Sequence, residues 1–338
     1  MNFLVSIAQR WVLDYPLRMD PARQARLQEK TVSRYQKAAR RFAGWCHAEG
    51  FDPLNGREWD ATLLEFRNSE PIALYEYTDV VASVEFFFPN YKGQLTLSRA
   101  ALQGWQVEHV THHHVPLGRG PAALCCTHIA ANGAPRLGVG VVLQQRKGLR
   151  PSEMLNLRRE DITLPEEQAA VLTGARACVV GLGLRVGTKL KRPQSVLLYE
   201  GEDSDVIEGL RRLKKTTAPN GLLIPYSLRL YSRWLKFCED ILGLQIGWTP
   251  HSPRAGFASE GRLNKKSFTD LREEGRWTSD SSLRIYIDTV EATAISARLQ
   301  TSGLIPAQEY AIAHWLDYVP LRALLEDGAA RIKAAARR

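Results

Sequence analysis

Four short motifs, met in one order along the chain, constrain it most. They are GLRPSE ending in Glu153, GTKLKR ending in Arg192, HSPR from His251 to Arg254, and GRWTSDSSLRIY from Gly275 to Tyr286. Two arginines, a lysine, a histidine and an indole can surround a phosphate, and a tyrosine can attack it. Each motif alone is weak and has an ordinary structural reading. Their order carries the weight, because a fold that gathers them holds what phosphodiester transfer without a metal requires.

That chemistry asks for a nucleophile, charge compensation on the non-bridging oxygens, and a proton donor for the departing 5′ oxygen. A tyrosine hydroxyl, with a normal pKa of about 10, must be activated by its surroundings. Guanidinium groups suit the phosphate because their planar forks bind two oxygens at once and stay charged. Donors already in place stabilise the extra charge of the transition state most. A lysine serves as general acid where neighbouring cations pull its pKa down.

Arg150 precedes Pro151, and proline is favoured in a first helical turn, so a helix is expected to begin there. Arg150 then stands at the helix start, beside N–H groups that attract phosphate. An exposed arginine at a helix terminus is the plain alternative. Lys189 lies within VVGLGLRVGTKLKRPQSVLLYE, where Val196 to Tyr199 read as a strand and Gly187 to Pro193 as a turn. A hairpin turn can push a lysine toward a DNA groove, although a basic turn is more often simply solvated. Lys191, two residues on, competes for the same role.

His251 and Arg254 are three apart and share a face if the segment is helical. Thr249-Pro250 or Ser252-Pro253 can open that helix, the hydroxyl capping and the proline in the first turn. Trp277 and Tyr286 are nine residues apart. An indole donates a hydrogen bond and accepts none, which suits a phosphate oxygen or the nucleophile's oxygen. Core aromatics on an amphipathic helix are the competing reading.

Taken together, the motifs resemble those of the tyrosine recombinases, the phage-integrase family, over roughly Pro121 to Asp288. The resemblance implies DNA cleavage and rejoining through a covalent 3′-phosphotyrosine at Tyr286, with neither metal nor other cofactor. Arg150 and Arg254 would clamp the scissile phosphate, Lys189 would protonate the leaving oxygen, His251 would assist proton transfer, and Trp277 would buttress the phosphate. Glu153 matches an acidic position that helps hold such sites together. It further implies double-stranded DNA as partner and a homotetramer on paired DNA sites. Two departures stand out: Ala255 follows the second arginine where histidine is frequent, and Arg276 separates Gly275 from Trp277. GTKLKR and GRWTSD look more like recombinases carried by eukaryotic mobile elements than like bacterial chromosome-dimer resolvases. The rival readings are a type IB topoisomerase-like enzyme and a DNA-binding protein that has lost catalysis.

The expected fold is mainly α with a small β-sheet (α+β). A helical N-terminal DNA-binding domain of SAM-like type spans 1–110, followed by a linker at 111–120, a catalytic domain at 121–300 and a C-terminal helical tail at 301–338. A chain of 338 residues is long enough for two cores. In the first domain, TVSRYQKAARRFAGWCHAEG places Tyr35, Ala38, Phe42 and Trp45 at helical spacing. Arg34, Lys37, Arg40 and Arg41 crowd the other side, as cations for a DNA backbone or as a solvated basic face. Further helices are expected over Ala73 to Phe88 and in LTLSRAALQGWQ. HHHVPLGRGP reads as linker because Gly and Pro punctuate it. In the tail, Leu321, Leu324 and Leu325 are candidates to dock on a neighbouring subunit, with packing in cis as the alternative.

Net charge of +9 favours a polyanionic partner. Five scattered cysteines with no CxxC pair argue against a zinc site or a disulfide framework and for a reducing compartment. No apolar run approaches a membrane span, so an intracellular, DNA-associated protein without membrane partners is expected, nuclear in a eukaryote or in the cytoplasm or nucleoid of a bacterium.

Overall fold

Apolar residues recur at helical spacing over Glu29–Glu49, and a helix follows them. The computed structural model describes residues 27, 29–108, 114–167, 177–185 and 193–327. The chain divides into two compact units, residues 1–112 and 113–338.

Among the described residues the first unit is helical: α1 (Glu29–Glu49), α2 (Gly56–Ser69), α3 (Leu74–Phe87) and α4 (Thr96–Glu108), with a 3-10 turn at Pro89–Tyr91. Helix α1 turns Phe42 and Trp45 inward, where Phe42 meets Trp59 at 5.8 Å and Phe66 at 5.2 Å between ring centroids. Helix α2 starts at Asn55, whose Oδ1 accepts from the N–H groups of Arg57 and Glu58, both at 3.1 Å. Buried Asp60 of α2 caps α4, accepting from the Leu97 and Ser98 N–H groups at 2.8 Å each. Donors at a helix start have no partner within the helix, so this carboxylate ties the two helices together.

The second unit is built around two helices buried nearly all round, α5 (Arg119–Ala131) and α6 (Pro135–Lys147). Helices with no polar face belong in a core. Glycines allow the close approach: a Cβ at Gly138 would meet Cys126, and one at Gly140 would meet Met154 and Ile224. The sheet is β1 (Ile162–Thr163), β2 (Ala177–Leu182) and β3 (Gln194–Tyr199), antiparallel in the order β1-β2-β3. Its register pairs Val180 with Ile162 on one side and with Val196 on the other. Around this frame lie α7 (Pro151–Leu155), α8 (Ser204–Lys215), α9 (Leu228–Ile241), α10 (Ser252–Leu263), α11 (Phe268–Glu274), α12 (Asp280–Arg284), α13 (Thr289–Thr301) and α14 (Ile305–His314). The architecture is mainly α with a small sheet.

Two stretches differ from the sequence reading. Residues 114–120, expected as linker, are part of the second unit. Leu117 is fully buried, its N–H donates to the Ser252 carbonyl at 2.9 Å, and α5 begins at Arg119. Gly118 and Gly120 serve close packing there rather than flexibility, since a Cβ at either would strike Glu260 or Gln308. Residues 301–327, expected as a tail, also pack in the second core. Trp315 is buried and its indole N–H donates to Asp205 at 2.9 Å. Asp327 accepts from the Tyr226 hydroxyl at 2.7 Å and from the Arg136 N–H at 3.3 Å. Of the three leucines offered for docking, Leu324 is fully buried in its own chain, while Leu321 and Leu325 are exposed. Among the described residues no helix is long and apolar enough to cross a membrane.

Candidate active site

Buried helix α6 delivers the first arginine. It ends at Gly148, whose left-handed φ of 56° turns the chain so that Leu149 enters the core and Arg150 caps α7. Glu153, one turn into α7, reaches back. Its carboxylate accepts from the Arg150 N–H at 2.8 Å and from the Arg150 guanidinium at 2.6 Å. The Arg150 side chain is thereby fixed from both ends.

Helix α10 supplies the second arginine. His251 is its N-cap, and Pro253 occupies its first turn. The preceding carbonyl, Pro250, accepts from buried Gln144 at 2.8 Å, and Gln144 in turn accepts from the Tyr231 hydroxyl at 2.8 Å. This chain of core hydrogen bonds fixes the entry to the helix. Arg254 is fully buried, and its guanidinium donates to the carbonyls of Gly148 and Gly275. Burial, then the neighbouring Arg150 and Arg276, pull its pKa down to about 9, still protonated at neutral pH.

The last motif closes the cluster. Trp277 lies beneath Arg254, with the guanidinium 3.9 Å from the ring centroid, and stacks on Phe257. Gly275 has no side chain because the Trp277 ring occupies the place a Cβ would take. Tyr286 follows α12 and is half-buried. Its hydroxyl is 3.3 Å from His251 Nδ1, and its ring lies 5.3 Å from the Arg254 guanidinium and 5.4 Å from the Trp277 ring. A small apolar cluster of Phe257, Ala258, Leu271, Trp277 and Leu283 supports it.

Arg150, Glu153, His251, Arg254, Trp277 and Tyr286 therefore converge. Lys189 and Lys191 belong to the segment joining β2 to β3 and lie outside the described residues. Of the basic residues of α1, Arg34 pairs with Asp79 at 2.8 Å and Arg41 with Glu76 at 3.0 Å. Lys37 and Arg40 are exposed and form no ion pair among the described residues. Among the described residues, no three His, Cys, Asp or Glu side chains gather as a metal site would require.

Solved structures share this architecture. The chain is similar to the XerH site-specific recombinase bound to palindromic difH substrate in a post-cleavage complex, over 88% of each chain, at 13% identity and a TM-score of 0.53. It is likewise similar to the Tn1549 transposon integrase in complex with transposon right end DNA, over 87% of this chain and 99% of that one, at 13% identity and a TM-score of 0.53. The chain has the tyrosine recombinase fold. No family model matches it, and no curated protein does.

Within this recombinase fold, two further residues join the cluster. Arg276, met in the sequence only as a departure in spacing, is buried and donates to Glu153 at 2.7 Å. It stands just beyond α11 at φ 58°, where a glycine is usual, while the motif's glycine sits one residue earlier. Its own carbonyl accepts from Arg150 at 3.3 Å. Burial raises the Glu153 pKa, but Arg276, the Arg150 N–H and the Arg150 guanidinium outweigh it and hold the carboxyl below the usual range. With Arg254 beside them, three guanidiniums and one carboxylate leave the cluster net positive. His114, read as linker, stacks on His251 with centroids 4.7 Å apart and planes at 14°. The sequence signalled Arg276 only by its place between Gly275 and Trp277; its left-handed φ and its bond to Glu153 appear only in the fold. His114 gave no signal.

Proposed function

We propose that this protein is a member of the tyrosine recombinase family that breaks and rejoins duplex DNA at specific sites through a covalent 3′-phosphotyrosine at Tyr286. The observation that carries the reading is the Tyr286 hydroxyl, 3.3 Å from His251, on a ring that lies 5.3 Å from the buried guanidinium of Arg254. Buried donors at Arg254 Nε, Arg276 Nε and Trp277 Nε1 have no acceptor among the described residues. Unsatisfied buried donors are costly, and a phosphate in the cluster supplies acceptors.

In the proposed reaction, Arg150 and Arg254 bind the non-bridging oxygens. Tyr286 passes its proton to His251 as its oxygen bonds to phosphorus, the P–O5′ bond breaks, and Lys189 protonates the departing oxygen. The reverse sequence rejoins a strand, because the protein–DNA ester keeps the energy of the broken bond. No other cofactor enters the balance. Strand exchange takes place in a homotetramer on two paired sites, with the exposed Leu321 and Leu325 as contacts between protomers.

Covalent trapping tests this. Wild type and Tyr286→Phe are incubated with a pool of nicked duplexes and run under denaturing conditions. The reading expects a shifted, protease-sensitive DNA band from the wild type alone. An equal band from Tyr286→Phe removes the tyrosine from its role, and no band from either removes the enzyme reading.

A further inference from the structure

We propose that His114 is a positioning residue for the nucleophile, holding the His251 ring in the plane that points its Nδ1 at Tyr286. The inference rests on the reading of Tyr286 as nucleophile and goes beyond it, since no motif includes His114.

The His251 backbone is fixed as the N-cap of α10. The torsion that turns an imidazole about its last bond is nevertheless broad, because an sp³–sp² bond has no sharp staggered wells. A flat neighbour stacked on the ring narrows that torsion, and this ring presents one nitrogen to a phenol 3.3 Å away. His114 is that neighbour, lying nearly parallel to His251 at 4.7 Å. The same ring meets Tyr286 at 5.3 Å and 33°, so one side chain touches both partners of the hydrogen bond. Trp277 and the Arg254 guanidinium meet the Tyr286 ring at 5.4 Å and 5.3 Å, and His114 adds a contact to that enclosure. Three residues on, Leu117 is fully buried and bonded to Ser252, which keeps the segment carrying His114 against the start of α10. Sites held by packed supporting side chains keep their reacting groups aligned, and small misplacements cost up to about a hundredfold in rate.

The test uses the full chain, the duplex recovered by covalent trapping, and two readouts. In single-turnover cleavage, His114→Ala is expected to be slower by about tenfold with DNA affinity unchanged, while His114→Phe, which keeps a flat ring, recovers to within about threefold. His114→Ala reacting at the wild-type rate, or His114→Phe as slow as His114→Ala, overturns the proposal. In histidine-labelled protein free of DNA, the His251 ring-proton resonances are expected to move in His114→Ala, which removes the ring current of a stacked neighbour. If they stay in place, the stack and the proposal both fail. Absence of covalent product from the wild type would refute the nucleophile reading instead, and with it the role of His114 in cleavage, while the resonance shift would still report the stack.

Discussion

Replacing Arg276 with glycine separates two opposing effects at one position. At φ 58° a non-glycine residue costs roughly 1 kcal/mol, which Arg276→Gly relieves. The same change removes one partner from a buried ion pair in which both side chains are about 5% exposed. Breaking such a pair typically costs about 3–5 kcal/mol, because the remaining charge is left in a low dielectric. Glu153 keeps two bonds from Arg150, so the low end applies. The net expectation is a loss of about 2 kcal/mol, measured as the shift in urea midpoint multiplied by the slope, with far-UV circular dichroism as signal. The pH dependence has a definite sign. The folded Glu153 carboxyl lies below its unfolded value, so its contribution is present above the unfolded pKa and is lost as pH falls through the folded one. In Arg276→Gly the largest opposing charge is gone, so the loss of Glu153 ionisation moves to higher pH. A variant as stable as wild type, with an unmoved acid limb, would show that the pair contributes nothing net.

Other consequences follow from the same geometry. Gly275→Ala places a methyl where the Trp277 ring lies, displacing the indole from Arg254. The lost cation–π contact is worth about 1–2 kcal/mol, so single-turnover cleavage is expected to fall about tenfold with DNA binding retained. Gly256→Ala drives a Cβ into the backbone carbonyl of Leu117, which cannot yield as a side chain would, and is expected to cost about 3 kcal/mol by thermal or urea unfolding. Lys37→Ala and Arg40→Ala are each expected to lower the slope of log affinity for duplex DNA against log salt by about 1, whereas Arg34→Ala and Arg41→Ala, already spent on carboxylates, change it less. All five thiols are buried, and burial pushes Cys46 and Cys178 up to about 12, so a disulfide reagent is expected to react with none of them until urea unfolds the protein.

Much of this was legible because the relevant physics is local. Pro151 marked the start of α7, Phe42 and Trp45 marked the buried face of α1, and the β-formers from Val196 to Tyr199 fell within β3. Helix α2 was not read, although Asn55 with Glu58 three residues on is a cap that can be recognised: Asn55 accepts from two N–H groups and its amide donates to Glu58. The misread stretches share one cause. Glycine signals a turn when seen alone, and only the fold shows that Gly118 and Gly120 are small because Glu260 and Gln308 press against them. Arg34 and Arg41 looked like free cations because their carboxylate partners stand on other parts of the chain, at Asp79 and Glu76.

In this cluster residue type and spacing come apart. Arg254 is held by two carbonyls, Gly148 and Gly275, that belong to different motifs. What the fold fixes is therefore the backbone on either side of the arginine, and side chains can enter from any point that reaches it. Glycine at 275 makes room for the indole, and the next residue must then take the left-handed turn. An arginine there costs backbone strain, yet it meets a carboxylate that would otherwise be shared by Arg150 alone. The extra residue before Trp277 thus leaves the nine-residue step to Tyr286 intact, and the cluster gains a cation where a glycine would have contributed only the turn.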